Sequence, residues 1–491
     1  MGNERNMYTV EEALVSVGFG KFQFFVFLYS GIGYAAEAME LMILSFIGSP
    51  IQSEWKLSPR QESLISSVVF AGMLLGQYSW GVISDNYGRR KGFIFTALVT
   101  SGAGFLSAFS PNYNTFIILR FLVGIGLGGG PVLFSWFLEF VPATNRGIWM
   151  TIFSFCWSLG TILEASLAWV VMPNMGWRWL LALSSLPVLL LLLFYSFTPE
   201  SPRYLCTKGR TTDAIKVLEK MARTNNMALP YGSLISDIRG ELDGEENVPE
   251  TSHLIIVQRD RTPVLHNMKS KIGFFTTLSN LLSPTLVRST LLLWIGFFGN
   301  IFAYYGIVLL TSALSDGKMA CTSPKLQLNH TEDENLYKDV FITSFAELPG
   351  LLLLAVMVDR FGRKITMIIM LFTAFVSLIP LAFLHTEGLT TTLLFCTRLC
   401  ITASSTCLCI YAPELYPTSL RSSGYGTASA MGRIGGIISP LVAVALVDDC
   451  HQTEAILLFE FVISLSAIVV AFFPVETKGR GLDDSLESLI S

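Results

Sequence analysis

Charge is what this sequence is short of. Only 14% of its 491 residues are Asp, Glu, Lys or Arg, while 52% are hydrophobic. Soluble domains carry about 25% charged residues. So apolar a chain cannot hide its hydrophobic side chains in one water-facing core, which excludes an ordinary soluble domain and points to lipid as solvent. Histidine is scarce as well: there are five, and none lies deep in an apolar run. No nucleophile–base set and no nucleotide loop is present, so the chain is not expected to be an enzyme or to hold a cofactor. "GIGLGGG", Gly124–Gly130, sits inside an apolar run, where small residues let helices approach closely. Cys396, Cys400, Cys407 and Cys409 lie along another such run and read as packing, not as metal ligands. The net charge of −4 gives no sign of a nucleic-acid partner.

What the chain has in abundance is apolar runs of spanning length, about 20 residues. Six candidate spans precede a long polar interval: Phe22–Ile47, Gln61–Ile83, Gly92–Phe109, Thr115–Phe140, Gly147–Val171 and Trp177–Phe197. Six follow it: Arg288–Ser312, Val340–Val358, Ile365–Leu384, Thr391–Ala412, Ser422–Val447 and Glu454–Pro474. The first span starts too far into the chain, and is too long, for an ordinary signal peptide. The expected organisation is a six-helix half (1–197), a cytosolic linker (198–284), a second six-helix half (285–474) and a tail (475–491). The fold class is an all-α membrane protein with twelve transmembrane helices.

Lys and Arg in the short loops set orientation. Arg89, Arg90, Lys91, Arg146, Arg360, Arg363, Lys364, Arg421, Lys478 and Arg480 fall on one side with the linker. That side is expected to be cytosolic, with both termini. Two of these loops repeat a pattern. Asp85-Gly88-Arg89 recurs as Asp359-Gly362-Arg363, and Glu139-Pro142-Arg146 recurs as Glu414-Pro417-Arg421. The motifs are 139 − 85 = 54 residues apart in the first half and 414 − 359 = 55 in the second. One offset shared by two motifs identifies a duplicated unit, as in transporters whose halves rock about a midplane site. The glycines permit a tight turn. The acids and arginines are expected to latch the cytosolic face in one state.

These motifs resemble those of the major facilitator superfamily. "PESPRYL", Pro199–Leu205, "PVETKGRGLDD", Pro474–Asp484, and "GNIFAYYG", Gly299–Gly306, are similar to signatures of its sugar porters. Where sugar porters place two glutamines before the Asn of the last motif, this chain has Ile295-Gly296. The amides that would hold sugar hydroxyls are missing, so a sugar is not the expected cargo. "YTVEEALVSVGFGKFQ" followed by "EAMEL" resembles instead the nicotinate-transporter group, with its plant organic cation/carnitine transporters and synaptic vesicle relatives. The Thr9…Glu12 spacing fits a capping box opening a short helix before span 1.

A charge within the bilayer costs about 2.5–3.5 kcal/mol on insertion scales, so each one is a candidate for function. Span 1 carries Glu37 and Glu40 on one face, and span 5 carries Glu164 with Trp157 and Thr161. Arg120, Arg398 and Arg433 lie in spans 4, 10 and 11, and Glu347 and Glu460 in spans 8 and 12. Arg433, near mid-depth in "GRIGGIISP", can grip a carboxylate through two parallel hydrogen bonds. The resemblance to organic anion carriers, which have Arg at this place, implies a carboxylate substrate; an ion pair with a protein acid is the alternative. Glu40 and Arg120 fall at similar depth, and a carboxyl in an apolar bundle can exchange a proton near neutral pH. Their arrangement resembles that of proton-coupled sugar porters, and a permanent structural pair is the other reading. Trp157, Asn300, Tyr304 and Tyr305 are expected to enclose a flat ring, with Glu37 and Glu164 nearby for any positive charge.

The expected function is therefore proton-coupled transport of a small organic carboxylate, nicotinate or a zwitterionic relative such as N-methylnicotinate. The alternatives are an organic cation or carnitine carrier and a non-transporting receptor or vesicle protein of the same fold. The chain is expected to work as a monomer in the plasma membrane, with the vacuolar membrane as alternative. Asn329 in "NHT" fits a glycosylation acceptor. Cys321 and Cys450 fall in loops on the non-cytosolic side, and a disulfide between them is expected there.

Overall fold

A computed structural model describes residues 7–142, 146–234, 279, 281–284, 286–315, 331–383, 387–416, 421–445 and 451–478. The twelve spans appear as helices, in two sets of six. Span 1 runs Lys21–Met42 and, after Ile43, Leu44–Trp55; spans 2 and 3 are Pro59–Tyr87 and Arg89–Ser107. Span 4 is Tyr113–Leu127 and Gly130–Leu138, span 5 Arg146–Met175 and span 6 Trp177–Leu193. In the second half, span 7 is Val287–Ser315, span 8 Thr331–Phe345 and Glu347–Phe361, and span 9 Arg363–Leu378. Spans 10, 11 and 12 are Glu387–Leu415, Arg421–Pro440 and Gln452–Ala471.

Among the described residues, eight of these form stretches long and apolar enough to cross a bilayer; the described stretches of spans 2, 3, 6 and 11 do not reach that length and hydropathy. Spans 2, 3 and 11 are diluted by Gly and Ser, which serve close packing inside the bundle. The outer surface shows the opposite character. Phe24, Phe25, Leu75, Val170, Leu193, Phe372 and Phe461 are all exposed, the side chains lipid would cover.

Span 4 was expected to be continuous, but it breaks at Gly128–Gly129. Spans 2 and 4 touch there, backbone on backbone. A Cβ at Gly124 would sit 2.1 Å from the Val69 carbonyl oxygen, one at Gly76 2.1 Å from that of Ile125, and one at Gly128 2.6 Å from Gln77 N. The glycine run is therefore a packing device, as the sequence implied.

The short helix Val10–Val17 carries the expected capping box, with Thr9 Oγ1 accepting from Glu12 N at 3.2 Å and Glu12 Oε2 accepting from Thr9 N at 2.9 Å. In the linker, helix Thr211–Asn225 buries Ala214, Leu218 and Met221. This helix lies under the start of span 1: Asn225 Oδ1 accepts from Phe22 N at 2.9 Å, and its amide donates to Gln23 Oε1 at 2.7 Å. Residues 7–8 and 233–234 pair as a two-residue parallel ladder that ties this corner together.

Candidate substrate site and gating network

Span 11 can lie close to its neighbours because Gly432, Gly435 and Gly436 face them. Gly435 rests on the Phe298 carbonyl of span 7, and Gly436 on the Phe70 ring of span 2. This close packing carries Arg433 into the space between the halves, partly buried. With its amide oxygen turned to the guanidinium, Gln77 of span 2 accepts from Arg433 Nε at 2.9 Å and Nη2 at 3.2 Å. Arg433 Nη1 donates to Tyr305 Oη at 3.4 Å. No carboxylate among the described residues lies within ion-pair distance of Arg433. Glu37 is near enough to feel its charge. Glu37 makes no hydrogen bond among the described residues, and it fits because position 130 is glycine, whose Cβ would sit 2.9 Å from Glu37 Oε2. One turn earlier, Tyr34 lies against Trp157 with ring centroids 5.0 Å apart. An acid one helical turn from an aromatic pair thus shares this space with a guanidinium.

Glu40 and Arg120 meet inside the first half at 3.4 Å, with 1% and 0% of their side chains exposed. Arg120 Nη2 also donates to Ser107 Oγ. Glu40 Oε1 and Arg120 Nε have no hydrogen-bond partner among the described residues. Glu164 was expected in the substrate cavity, but it is fully buried within the first half. Both its oxygens accept from Ser184 Oγ, at 2.9 and 2.8 Å, and Glu40 is a neighbouring acid. Asn300 also departs from expectation. It is buried within the second half, donating to the Gly296 carbonyl at 3.0 Å and accepting from Ser405 Oγ at 3.4 Å.

Tyr304 points away from Arg433 into a second buried cluster. It accepts from Trp157 Nε1 at 3.1 Å and donates to Glu347 Oε1 at 2.8 Å. Arg398 donates to the same oxygen from Nε at 3.1 Å and from Nη2 at 2.9 Å. Sequence marked Glu347 and Arg398 as costly charges without giving them a role, and it passed over Gln77. A polar side chain at mid-depth of a Gly/Ser-rich span was the available signal for Gln77.

The repeated hairpins are built alike. Gly88 and Gly362 adopt φ of +108° and +89°. Arg89 Nε donates to Glu139 Oε1 at 3.0 Å; Arg363 donates to Glu414 through Nε at 3.2 Å and Nη2 at 3.1 Å. Each pair closes within its own half. Glu200 of "PESPRYL" accepts from Arg90 N at 3.1 Å, and Glu476 of "PVETKGR" accepts from Arg363 N and Lys364 N, both at 2.9 Å. Sequence had not assigned these two acids, which cap the first turns of spans 3 and 9. The side chains of Asp85, Arg146, Asp359 and Arg421 lie outside the described residues, as do Cys321, Asn329 and Cys450.

Hydrogen bonds between the halves lie level with Gln77 and Arg433 or on the side away from the hairpins. They include Ser67 Oγ to the Ile437 carbonyl at 2.8 Å. Toward the hairpin face, no hydrogen bond or ion pair joins the halves among the described residues.

The sugar (and other) transporter family model matches residues 22–329, and the major facilitator superfamily model matches 340–489. Organic cation/carnitine transporter 7 of Arabidopsis thaliana is 57% identical over 502 residues, covering 99% of this chain and 98% of that one. Synaptic vesicle 2-related protein of Xenopus laevis is 36% identical over 488 residues, covering 97% and 83%. Among solved structures, the proton:xylose symporter XylE bound to 6-bromo-6-deoxy-D-glucose superposes with TM-score 0.66 at 19% identity, covering 96% of this chain and 99% of that one. The partially occluded inward open conformation of XylE from E. coli gives 0.68 at 17%, covering 94% and 100%. At these identities the structures speak for the fold alone.

Proposed function

The chain belongs to the major facilitator superfamily, and from that premise we propose that it carries a small organic zwitterion by alternating access. The cargo has a carboxylate at one end and a fixed positive charge at the other. The observation that carries this reading is the opposition of Arg433 to Glu37 across one space. Among the described residues Arg433 hydrogen-bonds to neutral groups, Gln77 and Tyr305, so its charge is available to a carboxylate. Glu37, next to Tyr34, whose ring in turn lies against Trp157, suits a quaternary or pyridinium nitrogen. The name of the Arabidopsis relative supports a carnitine-like cargo. Nothing among these relatives supports nicotinate itself, which has no fixed cation for Glu37 to meet. A plain organic cation is the second reading, and Glu37 favours it.

Proton coupling belongs to the same proposal. Glu40 is enclosed with Arg120, and Glu164 adds a second acid to one arginine. Proton exchange at this cluster would couple a pH gradient to the cycle. The hairpin face is read as cytosolic and the plasma membrane as the site of action.

The test is uptake into proteoliposomes with an imposed pH gradient, comparing L-carnitine, N-methylnicotinate, nicotinate and tetraethylammonium. Accumulation of the two zwitterions over the other two is expected. Transport of tetraethylammonium alone would reject a carboxylate-bearing cargo.

A further inference from the structure

Span 8 is interrupted in the middle of the membrane. Pro349 has no N–H to offer the Phe345 carbonyl, so the helix loses a rung. Ala346 N bonds to the Thr343 carbonyl at 3.2 Å, and regular helix resumes from Gly350 N, which bonds to the Ala346 carbonyl at 3.2 Å. Gly350 brings span 8 against span 10: a Cβ there would sit 2.6 Å from the Leu399 carbonyl oxygen. The interruption holds Glu347 beside Arg398, and both side chains are almost fully buried.

This carboxylate serves both halves at once. Oε1 takes donors from Tyr304 and Arg398 of the second half, and Tyr304 in turn accepts from Trp157 of the first. Oε2 faces Thr161 Oγ1, also of the first half, at 3.4 Å. Arg398 Nη2 reaches Met42 Sδ of span 1 at 3.7 Å. The charges are distributed unevenly across the boundary. Both members of the ion pair stay in the second half, while among the described residues the first half contributes an indole N–H, a hydroxyl and a thioether. Separating the halves therefore parts neutral groups from an intact pair and leaves no charge alone in an apolar interior. An ion pair split across the boundary would make opening far harder. The neighbouring residue in span 7, Tyr305, touches Arg433. Adjacent tyrosines thus report on the central space and on the Glu347 cluster.

We propose that Glu347 is a positioning residue of the transport cycle. Backed by Arg398, it locks span 5 of the first half onto spans 7 and 8 of the second, and so shuts the pathway on the face opposite the hairpins. The lock rests on the alternating-access premise and not on the identity of the cargo.

Cys409 offers a reporter that needs no substrate. It is exposed, near Arg433, in the space between the halves. Its reaction with a membrane-impermeant thiol reagent is measured from each face in oriented vesicles, read at its own peptide by mass spectrometry. In the native protein, labelling is expected from the hairpin face. Tyr304→Phe keeps the ring and the Glu347–Arg398 pair but removes the bridging hydroxyl. It should raise labelling from the opposite face severalfold and lower it from the hairpin face. Glu347→Gln should do so more strongly. A merely structural role would reduce the amount of folded protein without altering the ratio of labelling between faces. Sidedness as in the native protein for Tyr304→Phe overturns the proposal, even where Glu347→Gln fails to reach the membrane.

Discussion

Two buried acid–arginine pairs stand at comparable depth in the two halves, and their surroundings differ. Glu40–Arg120 is sealed inside the first half: its further neighbours Ser107, Gly104, Phe116 and Glu164 all belong to that half. Glu347–Arg398 sits at the boundary, and Trp157, Thr161 and Met42 reach it from across. The same chemistry therefore serves different ends. A sealed pair experiences little change when the halves rock, so its influence on the cycle must come through its own charge. In the proposed cycle a boundary pair gains and loses neighbours at each turn, whatever its charge.

The largest effects should come from removing the arginines. Breaking a buried pair by deleting one partner costs about 3–5 kcal/mol, because the other charge is left uncompensated. Arg120→Ala leaves Glu40 with no cation and an arginine-sized void; thermal unfolding in detergent should show a loss of that order. Arg398→Ala leaves Glu347 with the Tyr304 hydroxyl still donating, so its loss of stability should be smaller and its change in conformational preference larger. Equal destabilisation by the two, with native sidedness in Arg398→Ala, would erase the distinction between sealed and boundary pairs.

The contrast marks what sequence could reveal. The twelve-helix fold was legible because apolar runs and a motif repeated at one offset are properties of the chain alone. Each intramembrane charge was also visible, since its cost does not depend on which neighbour it meets. What faced what was not visible. Asn300 and Tyr304 lie in one helix and share polar tips, yet Asn300 is satisfied within its own half and Tyr304 bridges to the other. Glu164 shares a span with Trp157 but meets Ser184 instead of the cavity. Rotation of each helix is set by packing, and the glycine contacts that fix it lie on other spans. The capping roles of Glu200 and Glu476 were hidden for the same reason: 110 residues separate Glu200 from Arg90, and 113 separate Glu476 from Arg363.

Arg433 belongs to neither pair and gives the next largest effect. Truncating a charge that grips a substrate carboxylate costs about 2–5 kcal/mol, which is roughly thirtyfold or more in affinity. Arg433→Ala should lower L-carnitine affinity by that factor while leaving both buried pairs, and hence thermal stability, nearly intact. Unchanged affinity would remove Arg433 from the site.

Glu40→Gln sharpens the comparison at intermediate size. It keeps the shape and abolishes proton exchange at Glu40. One coupled proton can raise accumulation by about tenfold per pH unit, the equivalent of 1.4 kcal/mol. The variant should lose that accumulation yet still exchange labelled for unlabelled substrate, whereas Glu347→Gln should keep the pH response. If Glu40→Gln and Glu37→Gln both still concentrate substrate down a pH gradient, span 1 does not carry the proton.

The smallest effects should come from the place where the halves are most alike. Arg89–Glu139 at 3.0 Å and Arg363–Glu414 at 3.1 Å are partly exposed to nearly the same degree, with side-chain exposures of 22% and 18% against 18% and 23%. Ion pairs reached by water contribute about 0–1 kcal/mol, so Arg89→Ala and Arg363→Ala should each destabilise by less than roughly 1 kcal/mol. Because each pair closes within its own half, the two losses should add in the double variant, as they do for sites without shared partners. Thermal unfolding of the single and double variants measures this. Additivity in stability combined with a more than additive loss of transport rate would show that the hairpins meet in the state closed on their own face, where each would hold the other half. Additivity in both would confine them to turning and capping their own helices.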